Sequence, residues 1–90
     1  MQSKTVIVQN INGIHCRPSS AIVREAMKYK SELHAECDAG NANLKSMIEI
    51  ITLALHQGQE VTIQTDGEDE AAACEALAEK FSTIYDYPDK

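Results

Sequence analysis

A histidine followed by an arginine and a proline is the feature of this sequence best suited to chemistry. The segment reads Gly13-Ile14-His15-Cys16-Arg17-Pro18, and a helical pattern follows it over residues 17–29. Proline is well tolerated only in the first turn of a helix, so His15 is predicted to stand immediately before that turn. Free backbone amides and the positive end of the helix macrodipole favour an anion at such a position.

The side chains of His15 and Arg17 match the needs of phosphoryl transfer. Imidazole titrates near neutral pH, is a good nucleophile when neutral, and forms a labile phosphorus–nitrogen bond. The guanidinium of Arg17 can hold two phosphate oxygens at once. These properties suit an exchangeable phosphoryl carrier. On spacing alone, the alternative is a surface loop histidine beside a solvated arginine.

Hydrophobic periodicity predicts the elements that would position this segment. Strands are predicted over residues 4–9, 32–37, 41–45 and 60–65, with a hairpin tip at Ala39-Gly40. Helices are predicted over 17–29, from Ser46 for about ten residues toward Gly58, and behind the acidic residues 68–70. The last of these has an apolar face made of Cys74, Leu77, Ala78, Phe81 and Ile84.

This order predicts an α+β fold, an open-faced two-layer β-sandwich in which three helices cover one face of a four-stranded antiparallel sheet. The element order is βαββαβα. Ninety residues suffice for a single domain, which we place at residues 1–85. Pro88 prevents continuation of the last helix, so residues 86–90 are expected to form a flexible tail.

Composition excludes several functional classes. Eight basic and fourteen acidic residues give a net charge of −6, so no broad electropositive face is expected for nucleic acid or an anionic membrane. The longest apolar-rich run, 47–55, contains Glu49 and is too short to span a bilayer. The first residues lack the pattern of a signal peptide, so the expected compartment is the cytoplasm.

The cysteines and histidines do not suggest a metal site or a cofactor. The chain has three cysteines, an odd number at wide spacings, and we interpret them as free thiols. His34 and Cys37 are predicted to face opposite sides of a strand, and no paired C-x-x-C motif accompanies them. No metal and no cofactor are therefore expected.

The second helix has a defined start and more apolar residues than one face can bury. Ser46 and Glu49 match the S-x-x-E capping box. We expect an exposed patch rimmed by Arg17 and Arg24, suited to transient docking, and call it the docking patch; it comprises Ser20, Arg24, Met27, Met47, Ile48 and Ile51. The alternative is a tightly wrapped core helix on which only one apolar side chain shows.

The sequence resembles the histidine-containing phosphocarrier (HPr) family of the bacterial phosphoenolpyruvate:sugar phosphotransferase system. The resemblance is carried by the histidine segment, by Asn43-Leu44-Lys45-Ser46, by Gly58 and by Val61-Thr62-Ile63. The resemblance covers essentially the whole chain. It implies an open-faced β-sandwich, and it implies that His15 accepts a phosphoryl group on Nδ1 from phosphorylated enzyme I and passes it to IIA domains of sugar permeases. Arg17 would stabilise that group, while Pro18 fixes the helix start and leaves the amides of Cys16 and Arg17 free.

The same resemblance implies a second, regulatory phosphorylation. In some members of the family the serine at the position of Ser46 is phosphorylated by HPr kinase/phosphorylase, and the product signals to a catabolite-control regulator. Glu49 departs from the glycine or lysine of relatives, and Cys16 from their alanine, threonine or serine. We expect a monomer.

Two other interpretations remain open at this stage. One is a purely regulatory HPr-like binding module in carbon catabolite control, whose relatives lack the histidine. The other is a small thiol enzyme, which would require a depressed thiolate pKa at Cys16. The carrier itself would be a component of a phosphotransferase pathway without a small-molecule active site of its own.

Overall fold

The computed structural model describes residues 1–9 and 16–82, with the side chains of residues 16–18 excluded. Ile84 and the 86–90 tail lie outside the described residues. The elements follow the predicted order and are β1 (Gln2–Ile7), α1 (Cys16–Ala26), β2 (Glu32–Cys37), β3 (Gly40–Asn43), α2 (Met47–Thr52), β4 (Glu60–Asp66) and α3 (Glu70–Ser82). The predicted fold class is confirmed.

The four strands form one antiparallel sheet in the order β1-β4-β2-β3. Ala35 lies opposite both Ile63 of β4 and Ala42 of β3, so these small and branched side chains share one face. The other face carries polar pairs, including Thr5 and Thr62, whose hydroxyl oxygens lie 2.9 Å apart. Alternation of period two thus leaves one face for the helices and one for solvent.

The core lies between the sheet and the three helices. Ile22 of α1, Ile50 of α2 and Phe81 of α3 are fully buried against the sheet. Cys74, Leu77 and Ala78 are buried with Phe81, as the apolar face of α3 predicted. Cys37 packs against this core from β2. Burial raises the pKa of the Cys74 thiol on α3. Helix packing therefore fixes both α1 and α2 on the same face of the sheet.

The end of α2 differs from the prediction. The helix has six residues rather than about ten, because Ala54 takes a left-handed backbone with φ of 52°. That reversal lets Leu53 and Leu55 both enter the core. Gly58, with φ of 88°, shapes a later turn and does not end the helix.

The hairpin and first strand are each displaced slightly from their predicted limits. The β2–β3 turn consists of residues 38–39, and Gly40 already pairs with Cys37 as the first residue of β3. β1 begins at Gln2 because its pairing with β4 extends past the hydrophobic pattern, to Gln2 opposite Thr65.

Candidate phosphotransfer site and docking surface

α1 places its first turn directly behind the histidine of the motif. The helix runs Cys16–Ala26, which confirms the prediction that helical structure follows position 15 without a gap. His15 lies outside the described residues, as do the side chains of Cys16, Arg17 and Pro18. The backbone position of α1 is set by the burial of Ile22 and Ala26 in the core.

The exposed side of α1 carries the first half of the docking patch. Ser20 is half-buried, and Arg24 is exposed and donates from Nη2 to the Ser20 hydroxyl at 3.4 Å. Met27, which follows the helix, is 65% exposed. α1 also packs against α2, so these groups lie on the layer that the two helices share.

α2 supplies the second half. Ile48 is 78% exposed, and Met47 and Ile51 are each more than one-third exposed. Ile50 is fully buried and anchors the helix. A six-residue helix with apolar side chains around its circumference cannot bury all of them. Several apolar groups therefore face solvent, as the sequence predicted, and the core-helix alternative is wrong.

Glu25, near the C-terminal end of α1, is bonded to two side chains that follow the helix. Lys28 donates to Glu25 at 3.1 Å, and the hydroxyl of Tyr29 donates to the other carboxylate oxygen at 3.1 Å. Burial opposes ionisation of Glu25, but the bonds from Lys28 and Tyr29 outweigh it and lower the pKa of that carboxyl. Glu25 is thereby paired with residues close to it in the chain, and Arg24 and Lys28 are both exposed on either side of Met27 in the sequence.

Ser46 is the N-cap of α2, as predicted. Its backbone is extended, and its hydroxyl oxygen accepts from the amide of Glu49 at 3.3 Å. The reciprocal half of the capping box does not form. The Glu49 carboxylate accepts instead from the amide of Asn43 at 2.8 Å, while the Ser46 amide donates to the Asn43 carbonyl oxygen at 2.9 Å.

Sequence reasoning missed the organising role of Asn43 and Lys45. The Asn43 side-chain oxygen accepts from the Lys45 amide at 2.9 Å, which makes a local turn ahead of α2. The Lys45 ammonium donates to the carbonyl oxygen of Tyr29 at 2.9 Å and so ties this turn to the end of α1. An asparagine two residues before a lysine signals the turn locally, but the bond to Tyr29 is tertiary.

Neither a metal cluster nor a membrane span is found in the part of the chain that the structure describes. Among residues 1–9 and 16–82, no three His, Cys, Asp or Glu side chains converge as metal ligands. No helix within those ranges is long and apolar enough to cross a membrane.

The architecture defines a class: a small open-faced β-sandwich with two neighbouring helices that expose apolar side chains beside cations. The sequence model of the family described as "PTS HPr component phosphorylation site" matches residues 2–83. The phosphocarrier protein HPr of Borreliella burgdorferi is 39% identical over 84 residues, covering 93% of this chain and 98% of the relative. HPr of Haemophilus influenzae is 40% identical over 84 residues, covering 93% and 99%.

Solved structures agree with these relatives. HPr from Bacillus anthracis superimposes with a TM-score of 0.85 at 36% identity, covering 90% of this chain and 96% of that one. Crh of Bacillus subtilis, described as a catabolite repression containing protein and a swapped dimer, gives 0.73 at 36% identity, covering 90% and 93%. The chain belongs to the HPr family, the phosphocarrier components of the phosphotransferase system.

Proposed function

We propose that the chain carries phosphoryl groups on His15, from phosphorylated enzyme I to the IIA domains of sugar permeases. In the first transfer, the bond between phosphorus and enzyme I breaks as a bond from phosphorus to His15 Nδ1 forms. The second transfer reverses this chemistry toward the IIA domain. The observation that carries the proposal is membership of the HPr family over residues 2–83, a range that includes the histidine motif.

The local arrangement supports the chemistry. Because α1 starts at Cys16, the first backbone amides of the helix follow His15 directly and can donate to phosphate oxygens. Arg17 would add a bidentate guanidinium, and Pro18 would fix the helix start without loss of a helical hydrogen bond, because the first amides of a helix have no acceptor within it.

The docking patch supports transient association with both partners. A partner that docks here would bury the exposed apolar side chains that follow α1 and lie on α2. Arg24 would supply a positive charge at the rim of the contact. A partner surface that complements this patch would have an apolar centre and an acidic rim. Association through so small a patch is expected to be weak, which suits a carrier that must leave one partner for the next.

Phosphorylation with phosphoenolpyruvate and enzyme I tests the carrier function. The wild type should gain an acid-labile, base-stable phosphate and lose it on addition of a IIA domain. His15→Ala should accept none, whereas His34→Ala, which alters a half-buried histidine on the sheet, should accept as wild type. Equal phosphorylation of His15→Ala would refute the proposal.

We also propose that Ser46 is a regulatory phosphorylation site for HPr kinase/phosphorylase, and that the product is read by a catabolite-control regulator. Ser46 is half-buried at the start of α2 and lies next to the exposed Met47 and Ile48. A phosphate there adds about −2 charge beside the docking patch and would weaken approach of enzyme I. Kinase and ATP should label the wild type and leave Ser46→Ala unlabelled.

The similarity to Crh favours a second candidate, a regulatory module without sugar-system flux. His15 separates the two candidates, because only the carrier needs an imidazole at that position. A chain that is labelled on Ser46 but never by phosphoenolpyruvate and enzyme I would be the regulatory module. For either candidate we propose a cytoplasmic monomer.

A further inference from the structure

Glu49 is held in a fixed position in the same turn as Ser46. Its amide donates to the Ser46 hydroxyl oxygen, and its carboxylate accepts from the Asn43 amide at 2.8 Å. The Ser46 amide closes the turn on the Asn43 carbonyl oxygen. Side chains three residues apart at a helix start are neighbours, so a negative charge placed on the Ser46 side chain would be repelled by the Glu49 carboxylate.

Lys45, the residue before Ser46, directs its positive charge away from this turn. Lys45 donates its ammonium to the Tyr29 carbonyl oxygen at the end of α1, at 2.9 Å. Glu49 is therefore the charged side chain that bonds within the described turn at Ser46, and it has the same sign as a phosphate.

We propose that Glu49 determines how readily Ser46 is phosphorylated, by opposing negative charge on that side chain. The inference rests on the proposed regulatory phosphorylation. Transfer of the γ-phosphoryl group of ATP forms a bond from Ser46 Oγ to phosphorus, breaks the bond between the β- and γ-phosphates, and releases ADP and the hydroxyl proton. The product places about −2 charge beside a carboxylate that its bond to Asn43 holds in place.

Glu49→Gln isolates the charge. The glutamine side-chain oxygen can still accept from Asn43, so the substitution keeps the shape and the acceptor and removes only the negative charge. The matched control is Glu60→Gln, which removes one charge from an exposed position on β4.

A double-mutant cycle of Ser46→Asp and Glu49→Gln measures the repulsion between negative charges at positions 46 and 49 without a kinase. Aspartate caps a helix about as well as serine, so Ser46→Asp should be nearly neutral where residue 49 is uncharged. At low salt, Ser46→Asp should raise the equilibrium constant for unfolding about two- to threefold more in the wild type than in Glu49→Gln. The difference should disappear in 1 M NaCl, and the Glu60→Gln background should behave as wild type. An equal effect of Ser46→Asp in the wild type and in Glu49→Gln would overturn the inference.

Kinase assays then separate this inference from the proposed function. With HPr kinase/phosphorylase and ATP, Glu49→Gln should be labelled about three- to tenfold faster than wild type, and Glu60→Gln at the wild-type rate. Equal rates for wild type and Glu49→Gln would overturn the role of Glu49 and leave Ser46 as an acceptor. Labelling of none of the three would overturn both the Ser46 proposal and the role of Glu49, whereas phosphorylation of His15 would be unaffected.

Discussion

The carboxylate of Asp69, immediately before α3, holds Ser31 on the loop between α1 and β2. One carboxylate oxygen accepts from the amide of Ser31 at 3.0 Å and also from its hydroxyl, and the other accepts from the amide of Lys30 at 2.9 Å. These bonds join segments 38 residues apart. They fix the loop that leaves α1 to the one that enters α3.

This clamp should make stability depend on pH in strong acid. The bond from the Ser31 hydroxyl, then that from the Lys30 amide, lowers the pKa of Asp69 from 3.8 to about 2. A depressed folded-state pKa contributes stability that is complete above about pH 4 and is lost as pH falls toward 2. The melting temperature, Tm, should therefore fall more steeply between pH 6 and pH 2 for wild type than for Asp69→Asn.

The control for this prediction is Glu60→Gln, which changes an exposed carboxylate on β4 and should keep the wild-type slope. Parallel pH profiles for wild type and Asp69→Asn would show that the Asp69 carboxylate does not bind Ser31 and Lys30 in solution.

A side chain at Gly67 should disrupt the same clamp. A Cβ at this position would lie 2.8 Å from the Cα of Ser31, and the backbone φ of 152° is one that other residues rarely adopt. We expect Gly67→Ala to lower the free energy of unfolding by about 2 kcal/mol or more, because backbone must move to relieve the overlap. Urea denaturation measures this, and a loss below about 0.5 kcal/mol would contradict the close approach.

Replacement of Ala54, just after α2, by glycine should stabilise the protein. Ala54 has φ of 52°, where a Cβ is unfavourable and glycine is not. After the greater entropy loss of glycine is subtracted, Ala54→Gly should raise the free energy of unfolding by about 0.5–1 kcal/mol.

The opposite change at the next turn serves as the control for Ala54→Gly. Gly58 has φ of 88°, and a Cβ there would meet nothing within 4 Å. Gly58→Ala should therefore destabilise by about 1 kcal/mol through backbone conformation alone. The same sign of effect for both substitutions would argue against the left-handed end of α2.

Two isoleucines of α2 should separate stability from partner binding. Ile50 is fully buried, so Ile50→Ala should lower the free energy of unfolding by about 2–5 kcal/mol. Ile48 is 78% exposed, so Ile48→Ala should change it by less than about 0.5 kcal/mol. Ile48→Ala should nevertheless raise the KM of enzyme I for the carrier about five- to tenfold, because a docking contact is lost. An unchanged KM would remove Ile48 from the docking patch.

Period-two alternation was sufficient to predict β2 to the residue, because Leu33 and Ala35 point into the core and Glu32 and Glu36 point to solvent. Exposure of several apolar residues on α2 also followed from their number. The start of β1 could not be predicted in this way, since Gln2 and Ser3 extend the pairing with β4 where the side-chain pattern is already polar.

Tertiary contacts explain what local patterns could not predict. α2 ends where burial of both Leu53 and Leu55 requires a reversal, although an alanine stands at the left-handed position. The Glu49 carboxylate bonds to Asn43 because β3 delivers that amide to the start of α2. Neither sequence position alone carries that information.

The most direct test of the account is the location of the phosphate after incubation with phosphoenolpyruvate and enzyme I. The chain has three histidines, His15, His34 and His56, which peptide mass spectrometry under alkaline conditions can distinguish. We predict one phosphate per chain, on the peptide that contains His15, with a phosphorus NMR signal typical of Nδ1-phosphohistidine. Phosphate on the other histidine peptides, or no phosphate while an HPr of known activity is labelled beside it, would contradict the account.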